Sequence, residues 1–138
     1  MDQFQFLSNH EYSKYVPLVQ DAISIIEYQY AYLYGIDELA DRLEVTKHHL
    51  IRTFAAGTGI SPGKYLVDVR IHHAKTMLQS CVDTPLEIIA GACGYSCGNY
   101  FCKAFKKQTG LTPSEYARAF RRSSVQAKTD PLLEKLYL

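Results

Sequence analysis

Apolar residues follow a helical spacing along most of this chain, and one arrangement of them occurs twice. Two short segments carry apolar residues three or four positions apart, which is the spacing of one helix face. They are Ile36, Leu39, Ala40 and Leu43 in the first half, and Leu86, Ile89, Ala90 and Cys93 in the second. A longer motif follows each segment and recurs 51 positions later: Phe54, Thr58, Gly59, Ile60, Ser61, Pro62 and Tyr65 become Phe105, Thr109, Gly110, Leu111, Thr112, Pro113 and Tyr116. The chain therefore contains two copies of one helix pair.

The same spacing predicts an all-α fold of about seven helices, in which two helix-turn-helix subdomains are joined by a long central helix. The first helix begins near Val16, and we expect it to run into the tyrosine-rich stretch 28–34. Its apolar face carries Val19, Ala22, Ile23, Ile26 and Tyr30. The central helix runs from Ser61-Pro62 to about Ser80, which corresponds to a length of about 27 Å.

Capping residues mark where several of these helices begin. Thr46 is a predicted N-cap, and Ser61-Pro62 places proline in the first helical turn, where its missing N–H costs nothing. The segments 84–87 and 112–115 have the sequences TPLE and TPSE, and both predict capping boxes. Ser96 is expected to cap the second helix of the second unit.

Charge is distributed unevenly, although 15 basic and 14 acidic residues leave a net charge of +1. Residues 1–45 carry eight acidic and two basic residues, whereas residues 46–125 carry eleven basic and four acidic ones. The basic segment is explained equally well by a polyanionic partner and by a mixed solvated surface. The repeat favours the partner, because a duplicated helix pair is suited to grip a repeating object, and duplex DNA repeats every helical turn.

Other features restrict the class of protein. The chain has no run of about 20 apolar residues, and its first residues lack the basic start and apolar run of a signal peptide. The four cysteines, Cys81, Cys93, Cys97 and Cys102, lie in one third of the chain and do not form a disulfide framework. We therefore expect a cytoplasmic protein with reduced thiols, no membrane contact and no cofactor.

The second helix of each pair has a polar face opposite its apolar one. With Leu50 and Phe54 inward, the first of these helices presents His48, Ile51, Arg52 and Ala55; with Phe101 and Phe105 inward, the second presents Asn99, Cys102, Lys103 and Lys106. In the major groove, arginine and lysine match guanine, and asparagine matches adenine. His48 suits a base or a phosphate, and Ile51 suits a thymine methyl group.

These residues resemble the DNA-binding domain of the AraC/XylS family of bacterial transcription regulators. The similarity covers about residues 16–121 and is strongest in the second half, in segments 88–90, 94–95, 100–101, 105–107, 109–110 and 112–116. Elsewhere it rests on Leu39-Ala40, Leu50, Arg52, Phe54, Gly59 and Tyr65-Leu66, with Arg70, Ala74 and Leu78 in the central helix. The resemblance implies two recognition helices that enter neighbouring major grooves on one face of duplex DNA.

The resemblance also implies residue roles and partners. The base-reading positions of the family correspond to His48, Ile51, Arg52, Asn99, Tyr100 and Lys103. Lys106 and Lys107 fall where the family has basic residues that contact phosphate. The implied partners are double-stranded DNA and RNA polymerase, with the oligomeric state left open.

This similarity divides the chain into three parts. Residues 1–15 form an N-terminal arm or linker remnant, 16–121 the DNA-binding domain with helix-turn-helix units at about 36–57 and 86–108, and 122–138 a C-terminal tail. We expect the tail to fray, or to dock as a short helix through Leu132, Leu133, Leu136 and Leu138. With about 15 residues ahead of the fold, the chain is either a short stand-alone regulator or a piece of a longer one.

Departures from the family pattern keep other functions open. Ala55-Ala56 stand where the family often has basic residues, which weakens the phosphate contacts expected there. A chain that had lost DNA affinity in this way would act as a protein-binding antagonist of related regulators. Cys93, Cys97 and Cys102 leave a thiol switch or a metal site open, but their spacing is not that of a zinc site. No nucleophile, base and orienting group lie at a recognisable spacing, so we expect no enzyme.

Overall fold

The computed structural model describes residues 15–81 and 83–129, with residues 123–129 as backbone alone. That part of the chain contains seven α-helices and no β-strand, which confirms the predicted fold class. In chain order the helices are α1 (Pro17–Gln29), α2 (Ile36–Arg42), α3 (Lys47–Thr58), α4 (Pro62–Ser80), α5 (Leu86–Ala92), α6 (Gly98–Thr109) and α7 (Pro113–Thr129). The central helix α4 contributes to both halves of the molecule.

The first lobe consists of α1, α2, α3 and the amino-terminal half of α4. Most of its buried residues lie on the predicted apolar faces, whereas Tyr30, Ile36 and Leu43, predicted on the same faces, are only partly buried. The buried residues are Val19, Ala22, Ile23, Ile26, Leu33, Leu39, Ala40, Leu50, Phe54, Tyr65, Leu66 and Val69. The Tyr65 hydroxyl donates a hydrogen bond to the buried Glu27 carboxylate. Burial and this hydrogen bond raise the pKa of Tyr65, so the phenol keeps its proton and remains the donor.

The second lobe repeats this arrangement with the carboxyl-terminal half of α4 and with α5, α6 and α7. Its buried residues are Ile71, Ala74, Leu78, Ile89, Ala90, Cys93, Phe101 and Phe105. The ring centre of Phe105 lies 5.8 Å from that of Phe101 and 5.4 Å from that of Tyr116. Complete burial of a large apolar side chain contributes roughly 1.5–3 kcal/mol, so this small lobe depends on its aromatic residues.

Local hydrogen bonds start three of the helices at the predicted positions. The hydroxyls of Thr46 and Ser61 each accept a backbone N–H at 3.1 Å in the first turns of α3 and α4. At the start of α7, Thr112 and Glu115 bond reciprocally at 2.9 Å and 3.1 Å, which confirms that capping box. The hydrogen bond from the Thr112 backbone N–H lowers the pKa of the Glu115 carboxyl group.

The ends of two helices are set in different ways. α1 runs into the tyrosine-rich stretch, as predicted, and ends there at Gln29, where Arg70 binds the carbonyl oxygens of Tyr30 and Leu33 that a continuing helix would use. α7 continues to Thr129, past the tail boundary expected near residue 121, because no glycine or proline interrupts the sequence before residue 131. Residues 1–14 and 130–138, with the leucines expected to dock, lie outside the described residues.

The turns inside the two helix-turn-helix units share a backbone conformation but have different surroundings. Glu44 has a φ of 57° and Gly94 a φ of 100°, so each turn passes through the left-handed region. At position 94 a Cβ atom would lie 2.8 Å from both Arg70 Nε and the Tyr30 carbonyl oxygen. Glycine is therefore required there for two reasons, the backbone angle and the space.

Arg70 joins the two lobes at that turn. Its Nε donates to the Tyr30 carbonyl oxygen at 2.9 Å, and its Nη2 donates to that of Leu33 at 2.6 Å. On the other side, the guanidinium carbon lies 5.5 Å from the ring centre of Tyr95, next to Gly94. Burial lowers the pKa of Arg70, but a guanidinium group stays charged at physiological pH. One side chain thus ties the end of α1 to the turn of the second unit.

Gly94→Ala should destabilise the protein more than Gly110→Ala. Both glycines have a positive φ, 100° and 85°, so alanine strains either backbone by about 1–2 kcal/mol. Only at position 94 does the new Cβ also collide with Arg70 and a carbonyl oxygen, whereas position 110 has no atom within 4 Å. We expect urea unfolding to show at least about 1 kcal/mol of additional destabilisation for Gly94→Ala. Equal effects of the two substitutions would mean that the turn does not rest on Arg70.

His73 introduces a pH dependence into the same region. It is buried on α4, and its ring stacks on that of Tyr30 with ring centres 3.9 Å apart. Burial, assisted by the neighbouring His72, lowers the pKa of His73 from 6.5 to about 4. Folded His73 is therefore neutral at pH values where unfolded His73 already binds a proton.

The free energy of unfolding should therefore decrease as the pH falls from about 6.5 towards 4. Across this window the unfolded state binds more protons than the folded state, and above it His73 is neutral in both states and adds no pH dependence. His73→Phe keeps an aromatic ring on Tyr30 but cannot titrate, so its stability should vary less with pH. Urea unfolding of both proteins at several pH values measures the difference. The same pH profile in both would contradict the lowered pKa.

Candidate nucleic-acid interface

Helix α3 buries its apolar side and turns its polar side to solvent. Leu50 and Phe54 are completely buried, as the spacing predicts. His48 and Arg52 are exposed on the opposite side, and Ile51 is half-buried at the boundary. The three residues implied as base-reading thus lie on one accessible side of the helix.

Helix α6 is oriented in the same way in the second lobe. Phe101 and Phe105 are completely buried. The exposed side carries the other five predicted contact residues, Asn99, Tyr100, Lys103, Lys106 and Lys107. Cys102, which was expected to face outward, is half-buried because it lies on the flank between the two sides. None of the eight predicted DNA-contacting residues is buried.

The amino end of α6 differs from the prediction. The helix begins at Gly98, not after Ser96, and the preceding Cys97 makes no side-chain capping bond. Instead, Oε2 of Glu87 accepts a hydrogen bond from the Gly98 backbone N–H at 3.1 Å. The predicted capping box at 84–87 is therefore wrong. Helix α5 begins only at Leu86 and has no side-chain cap, and the Glu87 carboxylate binds the first residue of α6 instead.

Gly98 makes this contact possible. A Cβ atom at position 98 would lie 2.3 Å from Oε2 of Glu87. Sequence reasoning missed both residues, because the contact joins two helices and no local capping rule describes it. The sign available in the sequence was a glycine in the first turn of a helix, where helix propensity alone disfavours it.

The basic residues of the interface form no salt bridge within the described chain, although Lys106 lies near enough to Glu115 to help lower the pKa of that carboxyl group. Salt bridges in that part of the molecule involve three other cations, in the pairs Arg42–Glu38, Lys47–Asp37 and Lys64–Asp68. None involves Arg52, Lys103, Lys106 or Lys107. Exposed cations that are not held in a salt bridge are available to phosphate oxygens and base edges.

The two recognition helices differ at their carboxyl ends. In α6 the last turn carries Lys106 and Lys107, both exposed. The equivalent positions of α3 hold Ala55, which is half-buried, and Ala56, which is exposed. Positive charge at this end of the helix is therefore confined to the second unit.

A cleft of about 660 Å³ lies between the lobes beside α6. Its lining includes Tyr32 and Tyr34 from the α1–α2 connection, Tyr100 from α6, and Arg70. The tyrosines are 79%, 96% and 64% exposed. Sequence reasoning gave no position for Tyr32 and Tyr34 relative to α6, and so missed that they line this cleft together with Tyr100.

Other chemistry has little support in the described residues. They contain no cluster of three His, Cys, Asp or Glu side chains that could hold a metal ion. Burial raises the pKa of Cys93 to about 11, so this thiol stays protonated and unreactive. Within the same part of the chain, no helix combines the length and apolar character needed to cross a membrane.

Comparison with known proteins identifies a family that matches this chain. A family model described as a helix-turn-helix domain matches residues 39–119. Over 106 residues the chain is 32% identical to the uncharacterized HTH-type transcriptional regulator YijO of Escherichia coli (strain K12), and the match covers 77% of this chain and 37% of that relative. The chain spans between 34% and 60% of the length of the first curated relatives that it matches.

Two solved structures share the fold over most of the described chain. The C-terminal domain of AraT, a response regulator from Geobacillus stearothermophilus, has a TM-score of 0.71 and 31% identity, covering 75% of this chain and 86% of that one. The DNA-binding domain of AdpA, a global transcriptional factor, has a TM-score of 0.70 and 25% identity, covering 80% of this chain and 97% of that one. The AdpA domain was crystallised in complex with a target DNA.

Arg52→Ala and Lys103→Ala should each weaken DNA binding without unfolding the protein. Both side chains are exposed, and removing one hydrogen-bonded pairing with a base should cost about 1–3 kcal/mol and relax discrimination at one base pair. Binding titrations against a selected duplex and its single-base variants measure both effects. Lys75→Ala, on the central helix, serves as the charge control and should keep the base preference. Wild-type preference in both interface variants would overturn the assignment of these helix faces.

Proposed function

Because this chain belongs to the AraC/XylS-type helix-turn-helix family, we propose that it is a sequence-specific DNA-binding transcription regulator. Its recognition helices α3 and α6 enter neighbouring major grooves of a promoter. The observation that carries this proposal is the duplicated polar helix face, which is exposed in both lobes. Arg70 joins the two lobes through its hydrogen bonds to the end of α1. One such face is common on a surface helix, whereas two at equivalent positions of a repeat suit a repeating partner.

We assign base reading to the exposed side of each helix. Arg52 and Lys103 have the donors that guanine O6 and N7 accept, and Asn99 has the donor and acceptor that match adenine. The half-buried Ile51 offers an apolar surface to a thymine methyl group. His48 and Tyr100, at the edges of the two faces, each donate one hydrogen bond to a base or a phosphate.

We assign phosphate binding mainly to the second unit. Lys106 and Lys107 extend from the last turn of α6, where no salt bridge of the described chain holds them. The alanines at the equivalent positions of α3 supply no cation. Each neutralised phosphate adds affinity that falls with salt, so α6 should account for most of the nonspecific binding. A regulator bound at a promoter lies close to RNA polymerase, which is the second partner that we propose.

A titration with random duplex DNA at low salt tests the proposal against its alternative, a protein-binding antagonist of related regulators. A DNA-binding regulator should bind the random duplex at micromolar concentration or tighter. It should also enrich a defined sequence from a pool of fragments. An antagonist should do neither. The AdpA domain, which has the same fold and was crystallised on DNA, supports the first outcome.

Adding lysines to the first unit should tighten binding and steepen its dependence on salt. The variant has lysine at positions 55 and 56, and its salt slope should rise by up to about 0.9 for each phosphate newly neutralised. A matched variant with glutamine at both positions adds similar length without charge and should keep the wild-type slope. Alanine at positions 106 and 107 should have the opposite effect to lysine at 55 and 56. The measurement is the binding of one duplex across a salt series.

If the added lysines leave the slope unchanged and the removal of Lys106 and Lys107 also has no effect, neither helix end approaches phosphate. That result would reject the docking of both helices on DNA.

A further inference from the structure

Both helix-turn-helix units place an acidic residue of the first helix against the first residue of the recognition helix. In the first unit, Oδ1 of Asp37 lies 3.3 Å from Nζ of Lys47. In the second unit, Oε2 of Glu87 accepts the Gly98 backbone N–H at 3.1 Å. Asp37 and Glu87 are each the second residue of their helix, α2 and α5, so the contact is part of the repeat.

The two contacts differ in what they hold. Helix α3 has its own cap in Thr46, and the Asp37–Lys47 pair joins two exposed side chains, which contributes little to stability. Helix α6 has no side-chain cap of its own at Cys97. In the second unit the acid therefore binds the backbone of the recognition helix, at the end where the helix dipole attracts a negative charge.

The position of this bond on α6 relates it to DNA recognition. Residues near the amino end of a recognition helix are those that meet base edges. Asn99 and Tyr100 directly follow the residue that Glu87 holds, and Lys103 lies about one turn further along. A carboxylate that fixes Gly98 therefore fixes the start of the base-reading face.

We propose that Glu87 is a positioning residue for the second recognition helix, and that Gly98 is its required partner. The Glu87 carboxylate anchors the amino end of α6 to α5 and so sets how Asn99, Tyr100 and Lys103 meet the base pairs of the second half-site. The first unit has no equivalent dependence, because Thr46 caps α3 independently. This inference rests on the proposed DNA-binding function.

Three variants separate positioning from charge and from stability. Glu87→Ala removes the carboxylate, and Glu87→Gln keeps an acceptor oxygen without the charge. Gly98→Ala keeps the carboxyl group in the protein, but the new Cβ atom pushes it away from the residue 98 amide. Alanine is also the better helix former, so this substitution does not weaken the helix by propensity. Asp37→Ala is the matched control in the first unit.

The first measurement needs no DNA. Removing one helix-capping interaction corresponds to about 1 kcal/mol, so Glu87→Ala and Gly98→Ala should raise hydrogen exchange of the residue 98 amide on the order of fivefold. Glu87→Gln should retain most of the protection, and Asp37→Ala should leave this amide unchanged. Wild-type exchange in both Glu87→Ala and Gly98→Ala would overturn the inference.

The second measurement selects fragments from a DNA pool with each variant. Arg52→Ala and Lys103→Ala first identify the base pairs that α3 and α6 read. Glu87→Ala and Gly98→Ala should then lose discrimination severalfold at the α6 base pairs alone, with Glu87→Gln close to wild type. Equal loss at both half-sites, or no loss at either, would overturn the positioning role. A wild-type protein that selects no sequence would instead reject the proposed function, and the exchange data would still decide whether Glu87 anchors α6.

Discussion

A buried cation helps to fix the position of one lobe against the other. The guanidinium group of Arg70 is satisfied by two carbonyl oxygens at the end of α1 and by the ring of Tyr95, with no acidic residue among these partners. A buried charge is tolerated only when its donors are used, and a carbonyl oxygen left without its donor costs about 1–3 kcal/mol. The end of α1, the centre of α4 and the second turn therefore keep one arrangement, which in turn orients the two recognition helices.

Local sequence rules predict the parts of this structure that local contacts determine. Leu50, Phe54, Phe101 and Phe105 are buried as their spacing indicates, and Thr46 caps α3 from the adjacent position. The accessibility of all eight predicted contact residues follows from the same helical spacing, because a surface helix that buries its apolar side exposes the opposite side. This is why the faces of the candidate interface follow from the sequence alone, although their contacts with DNA remain a prediction.

The features that the sequence did not reveal all depend on contacts between distant residues. Glu87 fits a capping box in its own helix, yet its carboxylate binds the backbone of the next one. Likewise, Tyr30 continues the apolar stripe of α1, but the helix stops before it because Arg70, 40 residues away, takes its carbonyl oxygen. In both cases a residue distant in sequence binds a carboxylate or a carbonyl oxygen that a capping or helix-spacing rule assigns to a nearby residue. Those rules consider only neighbours in the sequence, so they cannot predict the distant partner.

The two left-handed turns also bear on how far the repeats can diverge. Position 44 holds an exposed glutamate whose φ of 57° lies in the left-handed region. Position 94 faces Arg70 and the Tyr30 carbonyl oxygen and accepts glycine alone. The two turns therefore restrict their sequences differently. Position 44 is restricted by its backbone angle, whereas position 94 is restricted by its angle and by the space beside Arg70. The contact between the lobes thus limits the amino acid at one turn of the repeat and not at the other.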